Sequence, residues 1–391
     1  MKAVVAHGYG GPDVLTVDDI AVPRPGPGQF QVRIAAAALN PADLRTLSGV
    51  LRDLTPLRFP YVLGSDFAGT VTALGAGVDR YAVGEQVFGV GLPRATGRMA
   101  TMLADPPSLT TGTVAEYAVF EADTAAIGRR PPGLDPQHAA TLPIAGLTAL
   151  ALLRAAGLAP APPAGSAADL APVPPAGLAP VPSAGSAAGL GPEPATDPAG
   201  GLGSERAAAP AGPARRHVGT EPTVLVIGAA GGVGGAVVPL LAAAGARVLA
   251  TGVAADERYL RGLGAAEVIG YRDVDTVAEV RRRHPDGVDV LVNLALPGAA
   301  LPATSRVLRA GGRLLNAAFP SPDPAAFVGI PVIVDNVYAA AGPGDLDLLA
   351  RYAVAGTLPC TVGRRYRLAE APRAYADLVG THVRGKLVVT P

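Results

Sequence analysis

Residues 223–251, TVLVIGAAGGVGGAVVPLLAAAGARVLAT, constrain the chain more than any other stretch. Val224 to Ile227 is a short apolar run of the kind buried on both faces of a parallel sheet. A glycine turn follows, with Gly228, Gly231, Gly232, Gly234 and Gly235, then a helical pattern from Ala236 to Ala244 that stops at Gly245, then a second strand from Arg247 to Thr251. Strand, glycine turn, helix and strand in this order make a dinucleotide site. The glycines admit a pyrophosphate to backbone N–H groups, and the helix N-terminus turns its positive dipole end to the same anion. The contacting residues on this reading are Ala230, Gly231, Gly232, Val233 and Gly234, with Thr251 closing the second strand. Aligned on Gly231 and Gly234, the first glycine of G-x-G-x-x-G is replaced by Ala229.

The alternation continues beyond Thr251. Strands are expected at Glu267–Tyr271, Val288–Ala295, Gly312–Ala318 and Pro331–Ala339, with helices at Asp256–Leu263, Val274–Arg283 and Ala300–Leu308. Gly264, Gly287 and Gly311 stand where these helices should end. Such a pattern folds as an α/β, doubly wound parallel sheet with right-handed crossovers. The apolar strand at 331–339 could pair with its copy across a two-fold axis, which predicts a homodimer. The tail adds helices at Asp345–Ala355 and Ala369–Leu378 and a strand at Lys386–Thr390.

Residues 1–128 have a different texture. Short apolar runs at Ala3–Ala6, Val32–Ala36, Gly69–Leu74, Gln86–Val90 and Val114–Phe120 are separated by turn signals such as Pro25-Gly26-Pro27-Gly28, which predicts a β-rich domain. Asn40-Pro41 is a helix start, with Asn as cap and Pro in the first turn. Residues 91–112 lack periodicity and read as a loop. Helices are expected at Leu134–Pro143 and Ile144–Ala156; Thr148 in the second stands among small residues that would admit a cofactor or simply let helices pack.

Residues 159–221 are dominated by proline, alanine and glycine. AGLAPAPPAGSAADL at 156–170 recurs as AGLAPVPSAGSAAGL at 176–190. Two copies without apolar faces cannot stack as a solenoid, so the segment reads as a disordered, low-complexity insertion, and deleting 160–218 should leave folding and cofactor binding intact. The 32 basic and 32 acidic residues cancel, which gives no electrostatic case for nucleic acid or a membrane surface as partner. No apolar run reaches bilayer length and MKAVVAHGYG is no secretory signal, so a cytoplasmic protein is expected. Cys360 is the single cysteine and the five histidines show no ligand spacing, so no metal site is expected.

Outside 159–221 the chain resembles the medium-chain dehydrogenase/reductase superfamily, above all its zinc-independent, quinone-oxidoreductase-like branch. The resemblance is carried by NPAD at 40–43, FPYVLGSDFAGTV at 59–71, GVDRYAVGEQVFG at 77–89, LPIAGLTAL at 142–150, AAGGVG at 229–234, LGAAEVIGYR at 263–272, VLRAGGRLLN at 307–316 and RGKLVV at 384–389. It implies a GroES-like catalytic domain at 1–128, completed by 341–391, and a Rossmann NADP-binding domain at 129–340 interrupted by the insertion. Zinc enzymes of the superfamily carry G-H-E-x-x-G where this chain has Gly64-Ser65-Asp66-Phe67-Ala68-Gly69, and a cysteine where it has Asn40.

Without a Lewis acid the expected chemistry is reduction of an electron-poor small molecule: hydride from NADPH to a quinone or to the β-carbon of an enone. Asn40 is the catalytic candidate, orienting the nicotinamide end or the substrate carbonyl; as a helix cap it could do both. An enoyl thioester reductase and a weakly catalytic NADPH-binding sensor or scaffold are the alternatives. NADPH is expected over NADH because Thr251-Gly252 offers no carboxylate to the ribose. Arg258 is nearby in sequence, and Tyr271 falls where the resemblance places a 2′-phosphate contact. Asp256, however, stands where relatives often have lysine.

Overall fold

The computed structural model describes residues 1–53, 56–91, 111–160, 163 and 221–391, so the expectations for 91–112 and 159–221 fall almost wholly outside the described residues. Among those described, six parallel strands form one sheet in the spatial order Glu267–Gly270, Arg247–Gly252, Thr223–Ile227, Val288–Asn293, Leu308–Asn316 and Ile333–Asn336. Numbered along the chain, this is the doubly wound order 3-2-1-4-5-6. Successive crossovers leave in opposite directions from Thr223–Ile227 and Val288–Asn293, and a crevice opens where those two strands end. Val224, Leu225 and Val226 are fully buried, as a central strand requires.

The predicted elements recur with shifted bounds. The helix after the glycine turn spans Gly234–Ala243, so it begins two residues before its side-chain pattern, because glycine carries no apolar signal. The helix expected at 300–308 shrinks to Leu301–Thr304 between two 3-10 turns, since Leu308 is already in a strand beside Val288. The helices expected at 134–143 and 144–156 are Pro136–Thr141 and Pro143–Ala156. The edge strand is shorter than Pro331–Ala339, at Ile333–Asn336.

A second, mainly antiparallel sheet runs Val362–Arg367, Lys386–Thr390, Gln29–Ala38, Asp66–Leu74, Gln86–Val90 and Ile127–Arg129, with Tyr117–Glu121 also paired to Gln29–Ala38. Lys2–Ala6 pairs separately with Leu15–Asp19 and Tyr61–Val62. The strands at 15–19, 61–62, 127–129 and 362–367 escape the sequence reading because they are very short or polar. Register matters here. Val388 lies opposite Ala38, and Ala38 opposite Asp66. Side chains alternate with a period of two, so Lys386, Asn40 and Asp66 project toward one side of the sheet. Among the described residues no helix is long and apolar enough to cross a membrane.

Candidate active site

A cleft of about 570 Å³ opens at the carboxyl ends of Thr223–Ile227 and Val288–Asn293; ligand pockets commonly occupy roughly 300–1,000 Å³. Of the residues singled out in the sequence, Asn40, Ala230, Gly231, Gly232, Val233, Gly234, Thr251 and Tyr271 line it. Thr148 and Arg258 do not. Thr148 is buried within its helix and donates its hydroxyl to Ile144 O at 2.7 Å, while Arg258 is exposed on the helix Glu257–Gly262.

The glycine turn fits a dinucleotide. A Cβ at Gly231 would meet only Gly228 O, at 3.5 Å, so the space above it belongs to the cleft. A Cβ at Gly234 would lie 2.2 Å from Ala229 O, so only glycine lets the helix start this close to the strand. Thr251 braces the turn from below, its Oγ1 accepting from Gly228 N at 3.2 Å.

At one end of the cleft the buried side chains of Lys386, Asn40 and Asp66 form a closed cluster. Lys386 Nζ donates to Asp66 Oδ2 at 2.9 Å and to Asn40 Oδ1. The Asn40 amide donates to Asp66 Oδ2 at 3.0 Å and to Ala38 O at 3.3 Å. Asp66 Oδ1 accepts from Ile144 N at 3.0 Å. Both amide hydrogens of Asn40 are therefore used internally. Asn40 stands at the N-cap position but its side chain does not cap the helix Pro41–Leu47. Instead Asp43 accepts from Asn40 N at 2.9 Å, from Ser65 Oγ at 2.7 Å and from Tyr375 Oη at 3.2 Å. Burial pushes the Asp43 carboxyl up to about 6, against the pull of its Ser65 and Asn40 bonds.

Lys386 lines the cleft at this end and was missed by sequence reasoning. Its stem lies against the turn, where a Cβ at Gly232 would meet Lys386 Cδ at 2.9 Å. One signal was available: it opens an apolar strand, in a chain whose only other lysine is Lys2.

The other end holds Tyr271, half exposed, and a second buried acid, Asp256. Asp256 Oδ2 accepts from Val253 N at 3.0 Å and from His382 Nε2 at 2.9 Å; Arg384 Nε is 3.8 Å from Oδ1. His382 also lines the cleft and was not predicted. The segment carrying Lys386 and His382 is tied to the turn by Gly385 N, which donates to Ala230 O at 2.8 Å. Among the described residues no group of three or more His, Cys, Asp or Glu is placed to hold a metal ion.

Comparison with known proteins agrees with this architecture. The alcohol dehydrogenase GroES-like domain family matches residues 26–128 and the zinc-binding dehydrogenase family matches residues 263–389. A chloroplastic quinone-oxidoreductase homolog of Spinacia oleracea is 39% identical over 150 residues, covering 38% of this chain and 40% of that protein. The chloroplast envelope quinone oxidoreductase homolog of Arabidopsis thaliana is 25% identical across 100% of this chain and 98% of its own length. A mycocerosic acid synthase-like polyketide synthase of Mycobacterium tuberculosis is 28% identical over 96% of this chain, which spans 15% of that protein. Among solved structures, an NAD-dependent alcohol dehydrogenase superposes with a TM-score of 0.74 at 27% identity, over 100% of both chains. The Escherichia coli quinone oxidoreductase complexed with NADPH also gives 0.74 over 100% of both chains; at 19% identity it speaks to the fold alone.

Proposed function

The chain belongs to the medium-chain dehydrogenase/reductase superfamily, in its quinone-oxidoreductase-like branch, and from that premise we propose that it is an NADPH-dependent reductase of quinones or α,β-unsaturated carbonyls that works without zinc. The observation that carries the proposal is the bond between Asn40 Oδ1 and the Lys386 ammonium. In the zinc enzymes a ligand cysteine takes the place of Asn40. Here that position is bonded to a buried cation, and a divalent cation beside it would be repelled.

The chain's own residues divide the remaining work. When bound, the reduced nicotinamide supplies hydride. Gly231, Gly232 and Gly234 hold the pyrophosphate at the helix N-terminus. Lys386 has one N–H without a partner among the described residues, and its stem lies on Gly232, so its ammonium offsets the pyrophosphate charge. Asn40, with both amide hydrogens used, is a positioning residue that holds Lys386 rather than a donor to the substrate. Leu39, Pro41, Leu294 and Leu296 add apolar lining to the cleft, which suits a flat, electron-poor ring.

A second reading, an enoyl thioester reductase, is favoured by the polyketide synthase match. One assay separates the two: consumption of NADPH and NADH with 1,4-benzoquinone, 9,10-phenanthrenequinone, simple enones and enoyl thioesters, with and without chelator. The proposal expects turnover with quinones or enones that chelator leaves unchanged. Loss of activity with chelator would refute the zinc-free mechanism, and turnover confined to thioesters would replace the first reading by the second.

A further inference from the structure

The second buried acid of the cleft carries an inference about cofactor binding that rests on the dinucleotide reading above. Residues 381–386 lead from the helix Ala371–Gly380 into the strand Lys386–Thr390, and Thr381, His382, Val383, Gly385 and Lys386 all line the cleft. Gly385 passes between the glycine turn and Thr361. Its N–H donates to Ala230 O, and Lys386 N donates to Thr361 O, each at 2.8 Å. The passage is tight, since a Cβ at Gly385 would lie 1.9 Å from Thr361 O. Nearer its start the segment is tied by side chains. Both oxygens of Asp256 face His382 Nε2, at 2.9 and 3.1 Å, and Arg384 Nη1 donates to Ala255 O at 3.4 Å. Asp256 is fully buried and also takes the Val253 N–H. It follows the strand Arg247–Gly252, whose end meets the adenosine ribose in sheets of this kind. Here its oxygens are taken up by the chain itself.

We propose that Asp256 is a positioning residue for the dinucleotide turn and not a reader of the ribose: through His382 it pins residues 381–386 in place, and so sets Gly385 against Ala230 and the Lys386 stem on Gly232. These contacts are made at the turn that holds the pyrophosphate, a group that NADPH and NADH share. The pair therefore supports both cofactors to the same degree and does not choose between them. A carboxylate only accepts, so the tie needs an N–H donor at position 382 and no charge there.

The test compares the wild type with His382→Ala, which removes the donor, and with His382→Gln, which restores an N–H. In His382→Ala the carboxylate keeps the Val253 N–H, with Arg384 Nε 3.8 Å away, so it is not stranded and the variant should fold. Dissociation constants of NADPH and NADH are measured by calorimetry well below the unfolding temperature, and hydrogen exchange of the Gly385 amide is followed without cofactor. His382→Ala should weaken both cofactors by about tenfold, the loss of one charge-assisted bond. It should leave their ratio unchanged and speed exchange at Gly385, and His382→Gln should recover most of the affinity. Unaltered affinities and Gly385 exchange in folded His382→Ala would overturn the inference. So would a loss confined to one cofactor, the mark of direct contact with the ribose substituent. Failure of the wild type to bind either cofactor would instead overturn the dinucleotide reading beneath it.

Discussion

Two basic side chains reach the cleft from one short stretch of chain, and they differ in kind. Lys386 is buried against the fully buried Asp66; His382, its side chain 35% exposed, meets the fully buried Asp256. At the Lys386 end both oxygens of Asp66 and both amide hydrogens of Asn40 are bonded, whereas the His382 end meets the cleft through a partly exposed ring. A buried, fully bonded ion pair costs most when half of it is removed, and a partly exposed one costs little. The enclosed pair therefore matters more to the fold, the partly exposed pair less.

The largest test of this contrast is Lys386→Met. It strands a buried carboxylate and should destabilise the fold by about 3–5 kcal/mol, while His382→Gln should cost less than about 1 kcal/mol; chemical denaturation of both variants compares them. Similar losses would erase the distinction.

Asp43, bonded to Asn40 N behind the Lys386 cluster, should add a pH slope. Its carboxyl is raised from 3.8 to about 6, so between these values the folded chain holds a proton that the unfolded chain releases. The stability it contributes is full below about pH 4 and is lost as pH rises through about 6, about 3 kcal/mol in all. Denaturation midpoints across that window should show this decline in the wild type and a flatter profile in Asp43→Asn.

A smaller effect is expected at the sheet edge. Ile333 is 49% exposed on the edge strand and Tyr338 beyond it is 72% exposed, and we propose that a second copy covers them. Sedimentation at micromolar concentration should give the mass of two chains, and Ile333→Lys should shift it to one without altering the cofactor preference. The smallest effect is expected from removing residues 164–218. Pro160 O accepts from Tyr352 Oη at 3.0 Å, so packing reaches at least that residue. The shorter deletion should leave the unfolding temperature and the NADPH affinity unchanged, and a marked fall in either would show that the segment packs on the site.

What the sequence revealed follows the same division. The turn at 228–235 was legible because strand, glycines and helix are contiguous, and their chemistry depends on local backbone geometry. The Lys386 cluster was not. Lys386 and Asn40 are 346 residues apart, and Lys386 and Asp66 are 320 apart; only the register Val388–Ala38–Asp66 brings them together. Asn40 was singled out as a residue, but its partners, and hence its role, lay in strands whose pairing no local pattern encodes. His382 was set aside because ligand spacing was sought along the chain, while its partner Asp256 lies 126 residues away. Thr148 drew attention through the small residues around it and Arg258 through sequence proximity; neither lines the cleft.

The most direct measurement is the NADPH dissociation constant of the wild type beside that of Lys386→Met/Asp66→Asn, a pair that leaves no lone buried charge. A fixed cation beside the glycine turn predicts a folded double variant that binds at least about tenfold more weakly, the loss of one charge-assisted contact. An unchanged dissociation constant in a folded double variant would contradict the account.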